Sequence, residues 1–360
     1  MYLFLTELVQ VLCYYFIFAK CTSVQEQKIV RPPMPIVRND THIPPYWLPN
    51  GHFQSIYPAL FRKIEDVFYE RERINTPDED FLDLDWALNQ QKADIVGTPL
   101  VILSHGLEGS TSSQYVLGMT RLMTRSGYDC LAWNFRSCSG EMNKASRFYH
   151  SGATEDLDLV VQYAIKKGYR SVYLIGFSLG GNLTLKYLGE QGSELPSEIR
   201  KALVFSAPMD LKACSMAMIQ PRNRVYMHRF LKSLRPKVDE KARLFPDKID
   251  IKSGRFVKTL YDFDHIYTAP IHGFRDADDY YAQCSSMHFV ENIGIETLIV
   301  NSENDPIVPI ASLPSDVIAR HDKVFLESPA QGGHCGFRPS VLSGGIYWSE
   351  QRALDFLRSA

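Results

Sequence analysis

The run Gly176-Phe177-Ser178-Leu179-Gly180 constrains this chain more than any other feature. Before it stands Val172-Tyr173-Leu174-Ile175, a short apolar run that reads as a buried strand. After it, Gly181 to Leu188 places apolar residues at helical spacing. A serine flanked by glycines at a strand-to-helix turn predicts a nucleophile elbow. The glycines allow a sharp turn without a Cβ clash. The turn lifts the serine hydroxyl out of the fold at the positive end of a helix. The bare pattern arises by chance in about one chain in eight of this length. Its place between a strand and a helix carries the reading.

From residue 99 the same alternation repeats. Buried strands are predicted at Leu100–Leu103, Cys130–Trp133, Val172–Ile175, Ala202–Phe205, Thr297–Val300 and Val324–Leu326. Helical patterns fall at about 113–126, 154–167 and 179–190, the first two closed by Gly127 and Gly168. Such alternation implies an α/β fold with a mostly parallel sheet and helices on both faces. Ligands then bind at the C-terminal ends of the strands. Upstream, residues 31–50 read as an extended arm. Asn50 to Gln54 reads as a turn before the apolar stretch Ile56–Phe61. Residues 66–74 and 81–87 read as a hairpin, with Leu82, Leu84 and Trp86 buried and Asp83 and Asp85 on a wet face.

The alternation breaks between about 210 and 287, a stretch too long for a loop, which predicts a lid inserted between two late strands. Between Arg222 and Lys258 it carries twelve lysines or arginines against four acids, although the whole chain has a net charge of −2. That asymmetry suits either a solvated helical face or contact with an anionic membrane surface.

Serine needs a base, and the base needs an acid that fixes its tautomer. In this kind of fold the chain order is Ser, Asp or Glu, then His. Asp305 follows the strand ending near Val300, and His334 follows the strand ending near Leu326 in a glycine-rich turn. Ser178, Asp305 and His334 are therefore the expected catalytic residues, with Asp210 the rival acid. Oxyanion donors are expected from the backbone N–H groups of Leu179 and of Leu107, in the turn after the first buried strand. His105 reads as a structural residue entering that turn, and Cys335 as a packed thiol. Asn134 to Glu141 reads either as an active-site wall or, preferably, as a turn held by an Arg136–Glu141 pair.

Composition bounds the rest. Nearly half the residues are hydrophobic and the charges almost balance, so the chain is globular and nothing points to nucleic acid. Seven cysteines without CxxC spacing suit reduced thiols and argue against a zinc site. Residues 1–33 form an N-terminal extension ahead of a domain spanning 34–360. Residues 1–19 are apolar enough for a membrane anchor, but Glu7 and Gln10 interrupt them, and Met34 opens a plausible cytoplasmic chain. A cytoplasmic location is expected, with anchoring through 1–19 the alternative. The sequence is silent on oligomeric state.

Several segments together resemble the YheT-like branch of the α/β-hydrolase superfamily. They are Asn50 to Pro58, His105 to Ser110, Asn134 to Glu141, Tyr149 to Gly152, Gly176 to Asn182, Thr268 to Phe274 and Gly332 to His334. The resemblance implies carboxylesterase or lipase-like activity on short- to medium-chain acyl esters, a small-molecule or lipid substrate, and no metal or cofactor. It implies charge-relay roles for Ser178, Asp305 and His334. An acyltransferase is the alternative chemistry, and a non-catalytic lipid-binding protein the alternative of another class.

Overall fold

A computed structural model describes residues 36–37, 41–89 and 94–359. The expected N-terminal extension and anchor lie outside these residues. No helix among the described residues is long and apolar enough to cross a membrane.

The strands are β1 (Ile36–Val37), β2 (Glu70–Asn75), β3 (Phe81–Ala87), β4 (Leu100–Ser104), β5 (Asp129–Trp133), β6 (Val172–Phe177), β7 (Ile199–Phe205), β8 (Glu296–Val300) and β9 (Val324–Glu327). They form one sheet in the order β1-β9-β8-β7-β6-β4-β5-β3-β2. From β4 through β9 all pairings are parallel, while β3 runs antiparallel to both β5 and β2. All six strands expected from apolar runs are present. Parallel strands between two helical layers bury both faces, so successive residues go to opposite cores. Leu100 and Ile102 join one core with Leu174, whereas Val101 and Leu103 join the other with Ile175.

Among the described residues, the helices of eight or more residues are α1 (Gly51–Phe61), α2 (Gln114–Arg125), α3 (Thr154–Lys166), α4 (Leu179–Gln191), α5 (Leu211–Ile219), α6 (Arg224–Leu244), α7 (Ala277–Cys284) and α8 (Trp348–Arg358). α2 and α8 bring Met119, Met123, Leu354 and Leu357 to one core; α3 and α4 bring Leu157, Val161, Leu183 and Leu188 to the other. Gly127 and Gly168 follow α2 and α3 with φ of 97° and 113°, the left-handed C′ geometry expected of them.

Three upstream expectations need correction. Asn50 to Gln54 is not a turn: Asn50 caps α1, its side chain accepting the N–H groups of His52 and Phe53, and the helix runs through the apolar stretch to Phe61. The hairpin's first strand starts at Glu70 rather than 66. β3 has no wet face, since every residue in it is buried. Asp83 and Asp85 instead receive bidentate hydrogen bonds from Arg73 and Arg71 on β2, at 2.7 and 2.8 Å in each pair. Burial of a carboxylate is tolerated because a fork-shaped cation meets it.

The topology positions the site. The chain passes from β4 to β5 and then back across to β6 on the other side of β4. This reversal opens a crevice at the C-terminal edge of the sheet. Ser104 of β4 pairs with Gly176 of β6, so the turn after β4 and the turn after β6 lie side by side.

Candidate active site

Ser178 occupies the turn between β6 and α4 with φ 52° and ψ −120°, a left-handed conformation that a non-glycine residue adopts at a cost of about 1–3 kcal/mol. The serine itself carries the strained torsion, and its glycine neighbours serve close approach. A Cβ on Gly176 would lie 2.5 Å from the Gly180 carbonyl oxygen. One on Gly180 would lie 2.4 Å from the carbonyl oxygens of both Ser104 and His105. Neither position tolerates a side chain, which is why α4 can start directly against the end of β4.

The structure brings the three expected side chains together. His334 Nε2 lies 2.9 Å from Ser178 Oγ, and His334 Nδ1 lies 2.9 Å from Asp305 Oδ2. The other Asp305 oxygen accepts the backbone N–H groups of Ile307 and Val308 at 2.8 and 3.0 Å. Those donors hold the carboxylate in place without a cation. Asp210, the rival acid, is elsewhere employed: it caps α5 by accepting the Ala213 N–H at 2.9 Å.

The turn after β4 offers one unused amide. Gly106 N–H donates to Tyr115 Oη at 3.0 Å, Glu108 N–H to Tyr149 Oη at 2.9 Å, and Gly109 N–H to the Gly106 carbonyl. Leu107 N–H and Leu179 N–H donate to no acceptor among the described residues, and both residues line the cavity together with Ser178 and His334. His105 is structural, as expected. One ring nitrogen faces the Gly106 carbonyl at 2.8 Å and the other accepts Phe135 N–H at 3.1 Å. Full burial pulls its pKa down to about 4, so it stays neutral.

Two expectations about neighbouring segments fail. Arg136 does not pair with Glu141. Its guanidinium is buried and meets Asp78, Asp80 and Asp156, while Glu141 meets Arg73 at the surface. The segment Asn134 to Glu141 lines a separate polar hollow with Ser137, Cys138 and Gly140, and is no wall of the cavity at Ser178. Cys335 is buried, its N–H donating to Ser206 Oγ, and burial pushes the thiol well up. The described cysteines are all free thiols.

Supporting residues on α1 were missed by reading that segment as a turn. Ser55 Oγ accepts the His334 backbone N–H at 2.7 Å. Gln54 Oε1 accepts Gly332 N–H at 2.9 Å and the Asn304 side-chain amide at 3.0 Å, and Asn304 Oδ1 in turn accepts Gly333 N–H. α1 thus ties the loops of Asp305 and His334 together. An asparagine cap followed by helical periodicity was the signal available for it.

The cavity at Ser178 is mostly apolar, walled by Leu211, Met218, Phe230, Leu234, Val238 and Phe263 from the segment between β7 and β8. Asp264 also faces it. Thr268 and Tyr281 each donate a hydroxyl to this carboxyl at 2.6 Å, and burial raises its pKa to about 6.

Comparison with known proteins agrees with this fold. The family model described as alpha/beta hydrolase fold matches residues 99–338. YheT of Escherichia coli (strain K12), whose name carries the word esterase, is 34% identical over 88% of this chain and 92% of its own. The human phospholipase ABHD3 is 30% identical over 85% of this chain and 76% of its own. The Pyrococcus furiosus esterase Pf2001 superposes with a TM-score of 0.52 at 17% identity, covering 81% of this chain and 91% of that one, a likeness of fold.

Proposed function

We propose, on the premise that this chain belongs to the alpha/beta hydrolase fold family, that it cleaves carboxylic esters through an acyl-enzyme on Ser178. The observation that carries this reading is the unbroken relay of 2.9 Å contacts from Ser178 Oγ through His334 to Asp305. Ser178 Oγ attacks the acyl carbonyl carbon while His334 Nε2 takes its proton. The oxyanion that forms is stabilised by Leu107 N–H and Leu179 N–H. Collapse expels the alcohol, which takes the proton back from His334. Water then repeats the sequence, its hydroxyl adding to the acyl carbon, and releases the acid with Ser178 regenerated. Asp305 fixes the tautomer of His334 and stabilises its cationic form.

The apolar cavity suits a short- to medium-chain acyl group, and the segment 210–287 acts as the lid over it. Turnover of an acyl-ester panel by the wild type beside Ser178→Ala tests the reading, with added ethanol reporting any acyl transfer. Loss of all turnover in Ser178→Ala supports it; retention of a tenth of wild-type rate overturns it. A transferase would give ethyl ester as the main product.

The outer face of α6 favours a lipid surface as the source of the ester. While Phe230, Leu234 and Val238 face the cavity, Arg224, Arg229 and Lys232 are exposed beside Val225. These three cations and Arg222 form no ion pair among the described residues. Each basic group near an anionic bilayer contributes about 1 kcal/mol, and salt screens it. Activity on anionic vesicles should exceed that on neutral vesicles and fall with ionic strength, while a soluble short-chain ester shows little salt effect. Equal rates on both vesicle types at low salt would remove this part of the reading.

A further inference from the structure

Glu108 sits directly after Leu107 in the turn that follows β4, and its backbone is left-handed at φ 52°. Its carboxylate is buried, with 4% of the side chain exposed, yet it receives three donors. Tyr149 Oη and Lys237 Nζ approach one oxygen at 2.8 Å each, and the Ser233 hydroxyl donates to the other. Tyr149 also accepts the Glu108 N–H, so it grips the residue by backbone and side chain together. Ser233 and Lys237 belong to α6, the same helix whose inner face walls the cavity. The turn carrying Leu107 is therefore held from two sides, by the body of the fold through Tyr149 and by α6 through Ser233 and Lys237.

We infer that Glu108 is a positioning residue whose grip by Lys237 and Ser233 couples the seat of α6 to the placement of the Leu107 N–H at the developing oxyanion. This rests on the acyl-enzyme reading given above. Physically, a donor helps the transition state only when it is already aimed at the oxyanion, and a displacement of about 1 Å can cost about 10²-fold in rate. A left-handed non-glycine residue next to such a donor persists only where its surroundings hold it. The carboxylate in its three-donor seat is what holds it here. With α6 displaced, the buried carboxylate loses a cation and a hydroxyl at once, and the turn is free to relax.

The test uses a soluble short-chain ester with rates normalised by active-site titration. Lys237→Met and Glu108→Gln should each lower kcat by about 10–100-fold while KM changes little. The affinity for a trifluoromethyl ketone, which forms a tetrahedral oxyanion on the serine, should fall by the same factor as kcat/KM. Lys237→Arg should recover most of the loss, and the double variant should be no worse than the poorer single one. If Glu108→Gln fails to fold, Lys237→Met and Ser233→Ala carry the test alone. Wild-type kcat in Lys237→Met, or a fall in kcat/KM without a fall in ketone affinity, overturns the coupling. Activity surviving in Ser178→Ala would instead overturn the acyl-enzyme reading beneath it.

Discussion

Asp305 Oδ2 lies 2.9 Å from His334 Nδ1, while its Oδ1 is held by the backbone N–H groups of Ile307 and Val308. The carboxylate is thus fixed by the chain and presents its nearer oxygen, Oδ2, to the imidazole, with Oδ1 at 3.2 Å from the same nitrogen. Asp305→Asn keeps the shape but presents the wrong partner for the Nδ1 proton. A fall of about 10⁴-fold in kcat is expected, as for a tautomer error in this kind of relay. Asp210→Ala, in contrast, removes only a helix cap and should cost about 1 kcal/mol of stability with kcat retained. Steady-state rates on one ester settle the comparison, and a larger kcat loss in the Asp210 variant would contradict the assignment.

The reach of the sequence follows from the range of each interaction. The strands were legible because each is a local apolar run, and the order of Ser178, Asp305 and His334 was legible because each follows such a run. The α1 supports of His334 were not, because Gln54 and Ser55 act on residues more than 270 positions away. Asp83 and Asp85 alternate as surface charges do, and only the antiparallel register with β2 shows the arginines that neutralise them. Arg136 likewise reaches back to Asp78 and Asp80 on the hairpin turn, while Glu141 was merely nearer in sequence. Glu108 was visible only as part of a motif, since its partners Ser233 and Lys237 come from a distant helix.

Ser55→Ala tests the α1 support. The substitution leaves the His334 N–H without the acceptor that it now has at 2.7 Å. An unsatisfied buried donor costs about 1–3 kcal/mol, so the denaturant midpoint should fall. The His334 turn should also shift, lowering kcat by about tenfold or more. Unchanged midpoint and unchanged kcat together would show that α1 does not hold this turn.

Asp264 predicts a pH-dependent stability difference. Burial raises its folded pKa to about 6, above the unfolded carboxylate range near 4. Between these values the folded state binds more protons than the unfolded one, so this group's contribution to stability declines as pH rises. Above about pH 6 the full penalty of a buried charge remains. Asp264→Asn removes that charge. Its stability relative to wild type should therefore be greater at pH 7.5 than at pH 4.5, measured by denaturant unfolding at both. A difference that does not change with pH would contradict the account.

The central claim is that Ser178, activated by His334, forms a covalent acyl-enzyme. Its most direct test is reaction with a fluorophosphonate, followed by intact-mass measurement and peptide mapping. The account predicts one adduct per chain on the Ser178 peptide, none in Ser178→Ala, and labelling slowed by orders of magnitude in His334→Ala. An adduct on another residue, or labelling of Ser178→Ala at the wild-type rate, would contradict it.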